Sequence, residues 1–333
     1  MRTLKMQLKM RRQRVRPPHP HTKPASLLAF PPLEAAQRWR DMDARTEELW
    51  EKLRETAGAF SENVETPGEL TAALDAVATE PSPALALAGE VVGNLFRARN
   101  CPESAADAYR LALETHNALE TTDPDAVGRL LAALGEIYDQ LGLEQESLDC
   151  YEQAIPLLER IHGELHAALP TLLNNAAVLS RHLADFARSE ELFHRALTLL
   201  ERRLGTEHRD LAPVLNNYGL LCDQRGEIGR AEGCHIRALA IREREFGPKH
   251  PDVAQSLANL AATQVKSGRT ADACNLFARA YVILRNQALT NPLDLGTVTD
   301  NYITLLHATG QDQRAGEIEH RSGRTAQQTA GAQ

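Results

Sequence analysis

Hydrophobic and polar residues follow one pattern twice between Leu169 and Gly247. In each copy, apolar residues recur at the spacing of an amphipathic helix, stop at a short turn, and then recur along a second helix. The first copy begins LPTLLNNAAVLSRHLADF and the second LAPVLNNYGLLCDQRGEI, with corresponding residues 42 positions apart. A fixed period of about 20–50 residues predicts a stack of helical hairpins.

Further columns of residues keep the same 42-residue step. A small residue recurs on the second helix of each hairpin, at Ala112, Ala154, Ala196, Ala238 and Ala280. Another small column lies seven positions earlier, at Ala105, Ser147, Ser189, Ala231, Ala273 and Ala315. This spacing places both columns on one helix face, where helices can approach closely. An aromatic column, Tyr109, Tyr151, Phe193 and Phe277, is interrupted by His235.

A turn column predicts where the first helix of each hairpin ends, because Gly and Asn adopt a left-handed backbone at least cost. Its members are Asn100, Gly142, Ala184, Gly226, Gly268 and Gly310. We predict helix pairs at 84–98 and 102–119, 125–140 and 144–161, 168–182 and 186–203, 211–224 and 228–245, and 253–266 and 270–286. Pro124, Asp210 and Asp252 stand at helix starts, where Asp would accept hydrogen bonds from free amides.

The two ends of the chain differ from the repeats. A sixth pair is predicted to begin at Leu295, with a polar second helix from Gln313 to about Thr325 that caps the array and a frayed end at 323–333. Residues 33–82 predict two helices, near 33–59 and 69–79, that cover the first repeat. Residues 1–32 form a basic, proline-rich segment with eight Lys or Arg and no acid through Lys23, in a chain of net charge −8. We interpret it as a disordered tail; a mitochondrial transit peptide and an arm for nucleic acid or acidic lipid are the alternatives.

The Leu-Asn-Asn motif, the glycine turn, the paired small residues and the connectors Glu207–Ala212 and Lys249–Ala254 resemble the 42-residue tetratricopeptide repeat of kinesin light chains. The resemblance covers roughly residues 83–322. It implies an all-α fold, a right-handed superhelix (α-solenoid) of five to six helix-turn-helix repeats with helical caps. It also implies a groove, lined by the first helices, that binds an extended peptide or a partner helix. The long heptad coiled coil of a kinesin light chain is missing before the repeats, which argues against a motor subunit.

The resemblance implies that the second Asn of the Leu-Asn-Asn motif faces the groove and holds the ligand backbone. Asn is a mediocre helix former, and its amide offers both a donor and an acceptor to a peptide. A hydrogen bond between neighbouring repeats is the alternative role. The candidate groove residues are Asn174, Asn175, Arg181, Asn216, Asn217, Asp223, Asn259, Lys266 and Asn301.

The sequence offers little for catalysis or metal binding. His162 and His166 have a ligand-like spacing, but Gly163 lies between them where a helix should end, and no third ligand is apparent. Cys234 and His235 are adjacent and would point apart on a helix. Five cysteines without a CxxC pair indicate neither a disulfide framework nor a zinc site. Nucleotide-binding and hydrolase motifs are absent from the sequence. We therefore expect no enzymatic activity, no metal and no cofactor.

These patterns favour a non-catalytic scaffold or adaptor for protein–protein interaction, with a protein or peptide as ligand and no small-molecule substrate. The expected location is cytoplasmic, or mitochondrial if the basic segment is a transit peptide. An assembly or regulatory factor of a membrane or organellar complex, anchored or targeted by that segment, is the alternative function. Nucleic-acid binding is disfavoured, no run of about 18 apolar residues predicts a membrane span, and self-association through the array ends remains open.

Overall fold

The computed structural model describes residues 81–286 and 292–322, and for residues 292–294 it describes the backbone alone. These residues belong to one compact unit, 74–333. The described part contains twelve helices and no strand. They are α1 Pro83–Ala98, α2 Pro102–Ala118, α3 Pro124–Leu141, α4 Glu144–His162, α5 Leu169–His182, α6 Phe186–Leu204, α7 Leu211–Arg225, α8 Ile228–Phe246, α9 Pro251–Lys266, α10 Thr270–Arg285, α11 Pro292–Ala308 and α12 Asp312–Arg321.

Each odd-numbered helix packs along the helix that follows it, which gives six hairpins in series. Each hairpin also packs on the next one, through its second helix and the first helix of its neighbour. In addition, α7 contacts both α5 and α9. The first helices of the third, fourth and fifth hairpins therefore form a layer of their own, and we call its solvent side the leading-helix face.

The predicted turn column is confirmed by the backbone. Gly142, Gly226, Gly268 and Gly310 have φ between 73 and 81°. Asn100 (59°) and Ala184 (65°) are the described residues other than glycine with positive φ. In this conformation the backbone reverses its direction between the two helices of each hairpin. Ala184 adopts it with a Cβ atom, which strains the turn of the third hairpin.

The small columns are also confirmed. Every member from Ala105 to Ala315 is fully buried, and so are the five alanines from Ala112 to Ala280. A matching small column lies on the first helices and receives the aromatic side chains. An added Cβ at Gly93 would lie 2.6 Å from the Tyr109 ring, and one at Gly219 would lie 2.5 Å from His235. His235 thus occupies the aromatic position of the fourth hairpin.

Two expectations about helix ends need correction. The Asp210 side chain makes no capping hydrogen bond, and Asp252 lies inside the first turn of α9. Histidines accept instead, because Nδ1 of His208 and of His250 lies 3.3 and 3.2 Å from the amides of Asp210 and Asp252. The last helix ends at Arg321 rather than near Thr325, and Ser322 is its C-cap residue.

Other expectations fall partly or wholly outside the described residues. The basic segment at 1–32, the predicted helices between 33 and 79, and the tail at 323–333 are among them. The sixth hairpin begins three residues earlier than predicted, at Pro292. In the part that the structure describes, every helix is too short or too polar to traverse a bilayer.

Candidate functional site

The candidate groove residues divide into two groups by exposure. Asn174, Asn175, Arg181 and Asn301 are half-buried, and Lys266 is exposed. Asn216, Asn217, Asp223 and Asn259 are only 2–7% exposed. The accessible part of the leading-helix face therefore comes mainly from α5, together with residues at the ends of α7 and α9.

The asparagines of the Leu-Asn-Asn motif form a ladder between repeats. Asn217 on α7 donates its amide to Asn174 on α5 at 3.0 Å. Asn174 donates to Asn175 at 3.3 Å, and Asn175 donates to the Tyr151 hydroxyl of the preceding repeat at 3.3 Å. The ladder links three successive hairpins, so these amides contribute to the joints between repeats. Asn174 and Asn175 also keep part of their surface open to solvent.

Arg181 crosses the leading-helix face from α5 to α7. Its Nη1 donates to the Gln224 amide oxygen at 3.2 Å, and its Nη2 lies 3.0 Å from Nε2 of His182. Burial lowers the pKa of Arg181. His182 in turn lies 3.2 Å from the Glu144 carboxylate on α4. Burial, and then the charge of Arg181, lower the pKa of His182, which favours the neutral imidazole.

Asp223 is the most enclosed carboxylate among the candidates. The Thr263 hydroxyl donates to its Oδ2 at 2.8 Å, and Lys266 Nζ lies 3.4 Å from its Oδ1. His235 approaches from α8, with Nε2 3.6 Å from Oδ2. Burial by itself would raise the pKa of Asp223, but the contacts with His235, Lys266 and Thr263 outweigh it and lower that pKa. Asp223 is therefore an anion held by three neighbours.

The family model for the tetratricopeptide repeat matches residues 168–234 and 224–286. These residues contain all of α5 to α10 and every candidate groove residue except Asn301. Residues 168–286 carry tetratricopeptide repeats. This agrees with the helix pairs and the turn and small columns described above. Stacks of this type serve in general as protein-interaction scaffolds. A search of curated proteins finds no match.

Solved structures of tetratricopeptide-type repeats resemble the stack. BtubC (BKLC) from P. vanneervenii is 27% identical with a TM-score of 0.55, over 72% of this chain and 93% of that one. A putative kinesin light chain from Podospora anserina with nearly identical TPR-like repeats is 16% identical with a TM-score of 0.51, over 62% and 96%. PilW, a type IV pilus biogenesis factor, is 19% identical with a TM-score of 0.53, over 72% and 93%. The last two likenesses concern the fold.

The histidine pair that the sequence spacing singled out lies between the second and third hairpins and has a local role. His162 ends α4, Gly163 follows with φ of 80°, and His166 lies in the connector, where its ring stacks on that of His162 at 4.5 Å. His162 Nε2 contacts the Asp125 carboxylate. Burial and the charge of His162 lower the pKa of His166. Across residues 81–286 and 292–322, no group of three or more His, Cys, Asp or Glu has a metal-binding arrangement.

The sequence analysis did not predict that α9 supplies hydrogen-bond partners to Asn216 and Asp223. Ser256 accepts from Asn216 at 3.2 Å, just as Thr263 bonds to Asp223. The signal was present in the repeat period. The residues 42 positions before Ser256 and Thr263 are Val214 and Leu221, so two polar residues stand where the preceding repeat is apolar.

Proposed function

We propose that this chain is a non-catalytic adaptor whose leading-helix face binds an extended segment or a helix of a partner protein. The observation that carries the proposal is the asparagine ladder, whose members Asn174 and Asn175 remain partly open to solvent while they hold neighbouring repeats together. Their amides are fixed before any ligand arrives. Fixed donors and acceptors reduce the entropy lost when a flexible peptide binds.

Apolar side chains beside these amides support the proposal. Val178 lies one turn after Asn174 on α5, and Leu220 lies one turn after Asn216 on α7; both are half-buried. They would serve as shallow contacts for the side chains of a peptide whose backbone meets the amides. Alternating polar backbone contacts and apolar side-chain contacts are typical of extended-peptide recognition.

The charges on this face favour a ligand of mixed charge. Arg181 bonds to Gln224, and Lys266 pairs with Asp223. Neither cation stands beside a second one as a carboxylate clamp would require. We therefore infer that ligand recognition depends on amide and apolar contacts and depends only weakly on salt.

A selection experiment tests the proposal. The full chain would be used to select binders from a displayed library of random dodecapeptides, and the affinity of one selected peptide would be measured for each variant. Leu220→Glu and Asn175→Ala should weaken that peptide at least tenfold. Ile236→Glu is the matched control, because Ile236 is 49% exposed on the second helix α8 of the same repeat.

Circular dichroism of each variant would show whether its helices are retained. A peptide whose affinity falls with Ile236→Glu and is unchanged by both substitutions on the leading-helix face would place binding elsewhere and overturn the proposal. A library that yields no binder to the full chain would also count against it.

A further inference from the structure

One joint between repeats differs in kind from the others. Four positions per joint can be compared through the 42-residue period: two on the second helix of one hairpin and two on the first helix of the next. Between the third and fourth hairpins they are Phe193, Leu200, Val214 and Leu221. All four are buried members of one apolar cluster. Between the second and third hairpins they are Tyr151, Leu158, Leu172 and Leu179, which belong to the same cluster.

Between the fourth and fifth hairpins all four positions are polar. They are His235, Arg242, Ser256 and Thr263, and each is no more than 5% exposed. The next joint returns to apolar residues, with Phe277, Leu284, Val298 and Leu305 buried at the equivalent places. The apolar cluster that runs through α4–α8 includes Ile241 but no described residue of α9. The continuous hydrophobic core is therefore interrupted at this joint.

A chain of hydrogen bonds replaces the missing apolar contacts. Arg242 Nη1 donates to the Ser256 hydroxyl at 2.9 Å, and the Asn216 amide lies 3.2 Å from the same oxygen. Nδ1 of His235 lies 3.3 Å from the Asn216 amide oxygen, and the other ring nitrogen faces Asp223 at 3.6 Å. The hydrogen bonds thus connect the buried cation Arg242 on α8, through a residue of α9, to His235, whose ring faces the buried anion Asp223.

This arrangement holds repeats together less strongly than apolar packing would. Hydrogen bonds inside the joint replace hydrogen bonds to water, so their net contribution is small. The apolar burial that these four positions supply at the other compared joints is missing here. Burial lowers the pKa of Arg242. Its Nη1 lies within hydrogen-bond distance of three neutral acceptors, which are the Asp252 carbonyl, Gln255 Oε1 and the Ser256 hydroxyl. Nε2 of His235 finds no hydrogen-bond partner among the described residues. When the joint opens, water can satisfy each of these groups.

We propose that the joint between the fourth and fifth repeats, formed by His235, Arg242, Ser256, Thr263, Asn216 and Asp223, is the weakest joint of the array. Stability in a repeat stack is approximately a sum over repeats and nearest-neighbour interfaces, so the stack separates first at its weakest interface. Once separated from α8, α9–α12 unfold as one cooperative unit, which exposes their amides, while α5–α8 stay folded. This property is independent of which ligand the leading-helix face binds.

Native-state hydrogen exchange of the full chain, read by mass spectrometry, tests the proposal without any substitution. Amides of α9 and α10 should exchange at least tenfold faster than those of α5–α8. Their protection factors should equal those of α11. If the array only frays from its end, amides of α9 and α10 should exchange as slowly as those of α5–α8. Fast exchange would then be confined to the last hairpin. That result would overturn the proposal.

A sixfold variant provides the matched test, with every new residue taken from another repeat of this chain. His235→Phe, Arg242→Leu, Ser256→Val and Thr263→Leu install the residues of the preceding joint. Asn216→Ala and Asp223→Val install the fifth repeat's Ala258 and Val265, so that neither Asn216 nor Asp223 is left buried without its partners. Lys266, which is exposed, loses its ion pair with Asp223. The variant should slow exchange of α9 and α10 at least tenfold and leave α3 and α4 unchanged. Unchanged exchange in α9 and α10 of a folded variant would contradict the proposal. If the variant does not fold, the wild-type exchange pattern decides.

Discussion

Glu201 on α6 pairs with Arg237 on α8 at 2.7 Å, which joins the second helices of two successive repeats. The same pair recurs one period earlier as Glu159–Arg195 and one period later as Glu243–Arg279, each at 2.5 Å. Each pair spans 36 residues of sequence. This series of ion pairs ends where the 42-residue period places residues of other charge at the two positions. These are Asn117 and Gln153 at one end and Arg285 and Arg321 at the other.

Reversing the charges of one ion pair should reveal how much that pair contributes to the free energy of unfolding. Arg237→Glu places a like charge beside Glu201, and Glu201→Arg in the same chain restores an opposite pair. Because both side chains are about one-third exposed, we expect a coupling free energy of only about 0.2–1 kcal/mol. A double-mutant cycle measured by urea unfolding at low salt would give the value. A coupling free energy of zero at low ionic strength would show that the ion pair between Glu201 and Arg237 does not stabilise the fold.

The strained turn of the third hairpin offers a stabilising substitution. Ala184 has φ of 65°, where a Cβ atom is unfavourable. Ala184→Gly should raise the free energy of unfolding by about 1 kcal/mol, since glycine adopts this backbone without strain. The matched control is Gly226→Ala at the same place in the next repeat, where φ is 77° and an added Cβ would meet no atom within 4 Å. It should destabilise by a similar amount, and equal signs for the two changes would contradict the strain argument.

Gly219 lies inside helix α7, where the close approach of the His235 ring, rather than a turn conformation, requires a residue without a Cβ atom. An added Cβ there would lie 2.5 Å from the His235 ring, which is enclosed in the hairpin. Gly219→Ala should therefore destabilise the fold by about 1–3 kcal/mol through overpacking. Gly233→Ala is the control, because Gly233 is exposed on α8 with open space around its Cα. That change should stabilise by up to about 1 kcal/mol through helix propensity; thermal unfolding of both variants would check the contrast.

Acid should weaken one contact between the third and fourth repeats. Glu190 accepts hydrogen bonds from Arg230 at 2.6 Å and from the Tyr218 hydroxyl at 3.1 Å, and it also contacts Arg225. The bond from Arg230, followed by those from Arg225 and Tyr218, lowers the pKa of Glu190 from 4.5 to about 2. A carboxylate with a lowered folded-state pKa contributes stability that is full above its unfolded pKa and lost as pH falls toward the folded value.

Glu190→Gln should remove that dependence. Wild type should therefore be more stable than the variant above pH 5 and should lose the advantage between about pH 4.5 and pH 2. Urea unfolding of both proteins across this range is the measurement. A difference between the two proteins that stays constant from pH 6 to pH 2.5 would mean that the Glu190 pKa is not lowered in the folded state.

Helix positions were predictable because they depend on local information. Leu169–His182 and Phe186–Leu204 lie within one residue of the predicted bounds, since apolar periodicity and a turn residue act over a few positions. Helix starts were less predictable. Asp210 and Asp252 are good capping residues by type, but the connector places His208 and His250 closer to the free amides.

The 42-residue period, the fold it specifies and the buried small columns were determined by the sequence alone, because every repeat must bury the same face against its neighbours. Only the tertiary structure decided which side chains meet across repeats. Residues 36 to 43 positions apart, such as Glu201 and Arg237 or Asn174 and Asn217, come together only after the hairpins stack. Whether an asparagine faces solvent or a neighbouring repeat depends on that stacking geometry, as does the connection from Arg242 to Asp223, and a linear pattern does not contain it.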